Sequence, residues 1–154
     1  MPRIRVLAVG RLKTPHWLEA ARHYLSRFSP SFRVEEHIVK DADPKFGIAD
    51  RKRQEAALLT KVLRPSETLM CLDENGKSLT STAFAELLRN QFDSGKIPCF
   101  VVGGAYGLDE SLLSRAQYRI AFGPMTFPHE LARVLLFEQL YRAQNILAGT
   151  GYHH

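Results

Sequence analysis

A chain of 154 residues and 17.5 kDa has room for one domain with a real core and little more. Its 45% hydrophobic and 24% charged content excludes wholesale disorder. No window approaches the ~18 consecutive apolar residues of a membrane span, and the run after Met1 is too short for a signal peptide.

Two cysteines, Cys71 and Cys99, are too few for a disulfide scaffold or a zinc site. A reduced, cytoplasmic protein without metal is therefore expected. The net charge of +5 is unevenly spread. Residues 1–65 carry 14 Lys and Arg against 7 Asp and Glu, a net of +7, whereas residues 66–154 carry 7 against 9, a net of −2. One half suited to a polyanion fits this asymmetry, and so does a solvated basic surface.

In chain order, Ile4 to Gly10 is a short β-branched run that predicts a buried strand. Residues 15–28 place Trp17, Leu18, Ala21, Tyr24, Leu25 and Phe28 at helical spacing, with Pro15 suited to the first turn. Arg33 to Val39 predicts a second strand, Asp41 to Asp50 a loop, and residues 49–64 a helix with basic outer faces that Pro65 ends. A strand–loop–helix figure then occurs three times. Glu67 to Leu72 leads through Asp73–Lys77 to a helix over 80–92. Pro98 to Val102 leads through Gly103–Gly107 to a short helix near 109–115. Tyr118 to Phe122 leads through Gly123–Pro128 to a long helix ending near Asn145. The alternation predicts one α/β domain over residues 1–154, with a mainly parallel sheet and helices on both faces.

In such sheets ligands bind beyond the carboxyl ends of the strands. Three of these ends carry glycine or proline, which lets backbone approach a ligand; the resulting pocket suits a purine and a small zwitterion. There is no Gly-x-x-x-x-Gly-Lys-[Ser/Thr] loop, and Gly103-Gly104-x-x-Gly107 is not the dinucleotide fingerprint. The 122–146 stretch is more specific. Pro128 is expected at the first helical position with Thr126 as a nearby cap. The helix after it is apolar on several faces, which predicts a subunit interface. His129, Arg133, Glu138 and Arg142 interrupt the apolar surface, with Glu138 and Arg142 spaced for an ion pair. The chain ends Tyr152-His153-His154 after a flexible Gly-Thr-Gly, a tail able to fold over a pocket and stack a base.

LDENGK at 72–77, FVVGGAYGL at 100–108, MTFPHELARVLLFEQLYRA at 125–143, the opening VLAVGRLK at 6–13 and the terminal Tyr-His-His together resemble the RlmH family of SPOUT-class ribosomal RNA methyltransferases. The resemblance covers essentially the whole chain. It implies methylation of the N3 of a pseudouridine in 23S rRNA within the large subunit or assembled ribosome. It also implies S-adenosyl-L-methionine as cofactor, a homodimer and a C-terminal trefoil knot. The cofactor site maps onto Leu72, Gly103, Gly104 and the loop Phe122, Gly123, Pro124, Met125, Thr126, Phe127 and Pro128. The tail would reach the partner's active site, where Tyr152 and His153 position the base; His154 stands where the family usually has Lys or Arg.

Loss of the imide proton calls for a base, with His153 or His129 as candidates, and an anionic ring calls for a cation, with Arg133 or Arg142. Arg11, Lys13, Arg22, Arg27, Arg51, Lys52 and Arg53 are the candidates for RNA phosphate. Two other readings stay open: a SPOUT enzyme acting on a tRNA base or a ribose 2′-OH, and a non-catalytic RNA- or nucleotide-binding assembly factor.

Overall fold

Alternation along the first strand decides the layering. In the computed structural model, which describes residues 2–154, Ile4, Val6 and Ala8 of β1 (Arg3–Val9) point into one apolar cluster and Leu7 and Val9 into another. The remaining elements are α1 (Pro15–Leu25), β2 (Arg33–Val39), α2 (Ile48–Val62), β3 (Glu67–Ser78), α3 (Ser81–Asp93), β4 (Ile97–Val102), α4 (Glu110–Leu113), β5 (Tyr118–Ala121) and α5 (His129–Ala148). The five strands form one sheet in the order β2-β1-β4-β3-β5, and every pairing is parallel. Helices α1, α3 and α5 cover the first face; α2 and α4 cover the second. Cys71 and Cys99 lie buried and unpaired in the second cluster, where burial pushes both thiols up to about 12 and keeps them protonated.

The expected elements are present, with three informative differences. The 73–77 segment is no free loop. Lys77 and Ser78 pair with Ile120 and Ala121, so β3 continues past an irregularity between Leu72 and Lys77. Gly76 is required there, because a Cβ would lie 2.6 Å from the Arg119 carbonyl carbon. Helix α5 begins at His129, so Pro128 is its cap residue and not its first helical one. Thr126 does not cap it; its hydroxyl donates to a Glu74 carboxylate oxygen. Finally, most of the apolar surface of α5 is used within the protomer. Val134, Leu136, Phe137, Leu140 and Ala143 are buried between α1, α3 and the sheet.

Two contacts from α5 fix the carboxyl end of β1. Arg133 is 1% exposed, and its Nη2 donates to the Val9 carbonyl at 3.0 Å and the Gly10 carbonyl at 2.8 Å. The Glu130 carboxylate accepts from the Lys13 and Thr14 backbone N–H groups at 3.1 and 3.2 Å, and from the Thr14 hydroxyl at 3.2 Å. Thr14 gives α1 no side-chain cap of its own, so Glu130 performs that task from across the structure. Burial pushes the Glu130 carboxyl up, but the hydrogen bonds from Thr14 and Lys13 outweigh it and leave the group below its ordinary value.

A carboxylate depressed in the fold stabilises it above the ordinary carboxyl pKa, and that contribution disappears as pH falls through the folded value. Glu130→Gln is expected to cost about 1 kcal/mol in urea unfolding at neutral pH. The gap from wild type should close as the pH falls below the ordinary carboxyl range; a gap that persists in strong acid would mean the carboxylate charge is not what matters.

Candidate active site

The parallel sheet brings the carboxyl ends of β3, β4 and β5 together, and a pocket of about 500 Å³ opens between them. Its walls are the start of the β3 irregularity, the turn after β4, the segment after β5 and the first turn of α5. Of the expected cofactor residues, Leu72, Gly103, Gly104, Phe122, Gly123, Met125, Thr126 and Phe127 line it; Pro124 and Pro128 belong to the same segment without lining it. His129 also lines it.

Local chemistry fixes each wall. Asp73 accepts from Arg119 Nε at 3.0 Å and Nη2 at 2.8 Å, which pins the β3 irregularity to β5. After β4 the chain reverses through a bridge between Gly104 and Gly107, with the Gly107 N–H donating to the Gly104 carbonyl at 3.1 Å. Gly107 sits at φ +81°, and a Cβ on Gly103 would lie 2.7 Å from the Gly107 carbonyl carbon. Only glycine at those two positions permits so tight a turn. The inner lining is apolar through Leu72, Val102, Leu108 and Ile120, and Asp73, Glu74 and Glu110 add carboxylates. These acids, Arg119 and Tyr106 are lining residues the sequence reading did not single out. Their signal lay in LDENGK and in an aromatic between glycines, both of which also suit an ordinary turn.

The other candidates do not gather here. Arg133, expected to stabilise charge on a substrate, is outside the lining; its buried head is committed to the end of β1. Its pKa is lowered by burial, against the opposing pull of Glu36. Arg142 and the tail form a second cluster. Thirteen positions at a rise of ~1.5 Å separate His129 from Arg142 by about 20 Å along α5. Within its own protomer the tail does not cover the pocket but folds back on α5. Tyr152 Oη donates to Glu138 Oε1 at 3.0 Å, and Arg142 Nη2 donates to the same oxygen at 2.9 Å. The Arg142 guanidinium lies 4.7 Å from the Tyr152 ring centroid, and its Nη1 is 3.2 Å from His153 Nδ1. Burial and then the Glu138 carboxylate raise the Tyr152 phenol, so it stays protonated and able to donate. His154 is exposed.

The basic candidates separate as well. Arg11 and Lys13 lie in the β1–α1 connection and Arg51, Lys52 and Arg53 in the opening turns of α2, all at the carboxyl edge of the sheet. Lys52 lines the pocket, Arg51 lies 5.0 Å from the Tyr106 ring centroid, and Arg53 pairs with Asp50. Arg22 and Arg27 lie toward and beyond the other end of α1. Among the described residues no group of three or more His, Cys, Asp or Glu could hold a metal ion, and no helix is long and apolar enough to cross a membrane.

A parallel α/β sheet with a walled pocket at its carboxyl edge defines a protein that holds a small ligand at its strand ends. More specifically, the chain belongs to the SPOUT methyltransferase family: a family model described as "Predicted SPOUT methyltransferase" matches residues 2–153. It is 52% identical to the ribosomal RNA large subunit methyltransferase H of Nitratidesulfovibrio vulgaris Miyazaki F and 47% identical to the protein of that name from Oleidesulfovibrio alaskensis. In both cases 100% of each chain is covered. In fold it is similar to a probable methylase family protein from Haemophilus influenzae, with a TM-score of 0.56 over 98% of this chain and 70% of that one. At 14% identity that likeness speaks for the fold alone. SPOUT methyltransferases generally use S-adenosylmethionine.

The tail cluster makes a definite statement about one proton. A guanidinium can only donate, so His153 Nδ1 accepts and the ring proton sits on Nε2. Long-range proton–nitrogen correlation spectra at mildly alkaline pH should show His153 with an unprotonated Nδ1 and a protonated Nε2. Arg142→Gln should release the ring to mixed tautomers. A wild-type spectrum with the proton on Nδ1 would contradict the contact.

Proposed function

We propose that the whole chain is a single cytoplasmic methyltransferase domain. It transfers a methyl group from S-adenosyl-L-methionine to the N3 of a pseudouridine in large-subunit ribosomal RNA, as a homodimer without metal. The observation that carries the reading is the full-length similarity to ribosomal RNA large subunit methyltransferases H, taken with a strand-end pocket that suits the cofactor. The apolar inner wall and backbone of the 103–107 turn suit an adenosine. Asp73, Glu74 and Glu110 suit a ligand that carries sulfonium and ammonium charge. Leu72, Gly103, Gly104 and the 122–128 segment would hold it. Bound there, the cofactor supplies an already activated methyl group.

The chain's own share is to align the imide nitrogen, take its proton and exclude water. His129 lines the pocket at the start of α5 and is the proposed proton acceptor. The Tyr152–Glu138–Arg142–His153 cluster is anchored on the middle of the same helix, ~14–20 Å from His129 along its axis. In this reading it therefore serves the pocket of the second protomer, with His153 Nε2–H donating to a uracil carbonyl and Arg142 opposing charge on the ring. Knotted threading of the C-terminal segment belongs to the same proposal and rests on the family resemblance.

Incubation of undermodified large subunits with the protein and labelled cofactor, followed by nucleoside mass spectrometry, should yield N3-methylpseudouridine. A methylated ribose or no methylated nucleoside would defeat the reading. Composite sites have their own test. His129→Ala and the double variant Tyr152→Ala/His153→Ala should each be inactive as homodimers. Coexpression should restore about one quarter of wild-type activity, because half of the sites in randomly formed heterodimers are intact. No recovery on mixing verified heterodimers would exclude the exchange of tails.

A further inference from the structure

We propose that Tyr106 is a stacking platform for an unpaired RNA base at the mouth of the pocket, with Lys52 beside it to meet an adjoining phosphate. The inference rests on the reading of the chain as an RNA methyltransferase. It adds a second nucleotide contact, distinct from the base that receives the methyl group.

Tyr106 is 50% exposed although it stands on one of the most constrained turns in the molecule. The Gly104–Gly107 bridge and the close approach of Gly103 to Gly107 leave the tip little freedom. An exposed ring on a rigid turn is pre-organised for a flat partner, and little ordering entropy remains to be lost on contact. The Arg51 guanidinium lies 5.0 Å from the ring centroid, with its Nε buried and unpartnered. A cation against an aromatic face, with the ring still half open to water, is the arrangement on which single-stranded nucleic acid stacks. Every base has a π face, so such a platform adds affinity without choosing sequence.

Charge decides which ligand this ring serves. Lys52 lines the same pocket and has no ion-pair partner among the described residues, whereas Arg53 is paired with Asp50 and Arg119 with Asp73. Arg51 and Lys52 stand on the Tyr106 side, where Asp109 lies within Coulombic reach of Lys52 and Glu110 faces Arg119, while the carboxylates of Asp73 and Glu74 extend from β3. A polyanion is drawn to the first side, and a cofactor bearing sulfonium and ammonium groups to the second. With the Arg51 guanidinium against its face, the Tyr106 ring is assigned to the RNA in this proposal.

The test compares wild type, Tyr106→Ala and Tyr106→Phe as full-length proteins. Co-sedimentation measures binding to large ribosomal subunits, and calorimetry measures binding of S-adenosylhomocysteine. Tyr106→Ala should weaken subunit binding about tenfold, Tyr106→Phe should bind as wild type, and all three should bind S-adenosylhomocysteine equally. Lys52→Ala should flatten the salt dependence of subunit binding. Unchanged subunit binding by Tyr106→Ala overturns the platform. An equal loss of S-adenosylhomocysteine binding also overturns it, because the ring then serves the cofactor. If wild type itself does not bind subunits, the functional reading fails, and the platform fails with it.

Discussion

Parallel pairing constrains everything else in this molecule. Two parallel neighbours cannot be joined by a tight turn, so each connection crosses back over a face of the sheet. All carboxyl ends then fall on one edge, here five of them. The β4 and β5 ends carry the glycine turn and the 122–128 segment, the β3 end carries Leu72 and Asp73, and the β1 end carries Gly10. The pocket is a consequence of this geometry, but its rigidity comes from particular side chains. Arg133 ties the end of β1 to α5 through two carbonyls, Glu130 ties the start of α1 to the same helix, and Arg119 ties β5 to Asp73. Burying a guanidinium is costly when its donors are not all paired, and Arg133 Nε and Nη1 lack protein partners. A position that bears such a cost beside a ligand site is one where backbone placement matters more than local stability.

Helix α5 imposes the second constraint. Its 20 residues span ~30 Å, with the pocket at its first turn and the Glu138–Arg142–Tyr152–His153 cluster anchored from its midpoint onward, ~14–20 Å away. A rigid helix holds the two groups that far apart within one protomer. Either the two groups serve different tasks, or two copies of the chain meet so that one copy's tail serves the other's pocket. The second alternative makes the proposed homodimer a requirement of the chemistry. It also gives Glu138 a specific job: its carboxylate collects Tyr152 and Arg142, and Arg142 in turn orients His153.

The layering and nearly every element were legible in the sequence, because apolar periodicity and glycine or proline boundaries agree along most of the chain. What was not legible has physical causes. Asp73–Lys77 reads as a loop by composition, yet Lys77 and Ser78 pair with β5, and only tertiary contact reveals that. That α1 and α3 flank α5 and take up part of its apolar surface is not legible, because a sequence does not say which helices pack together. Arg133 reads as a catalytic cation by residue type alone; its burial against the Val9 and Gly10 carbonyls depends on a contact 124 and 123 positions away. The glycine turn is legible in the sequence, whereas Tyr106 and the carboxylates are not, because single turn residues carry no periodic signal.

Charge placement connects the pocket to the tail cluster. Arg51, Lys52 and Arg53 sit at the pocket edge, while Arg22 and Arg27 travel with α1 toward the opposite end. There Tyr24 and Phe28 pack near Tyr141, whose ring also meets Tyr152. The second basic group therefore accompanies the tail. Within one protomer the two groups lie at opposite edges of the sheet and make no common surface for RNA. In the proposed dimer, a copy that lends its tail to a pocket brings Arg22 and Arg27, which travel with that tail, toward the receiving copy.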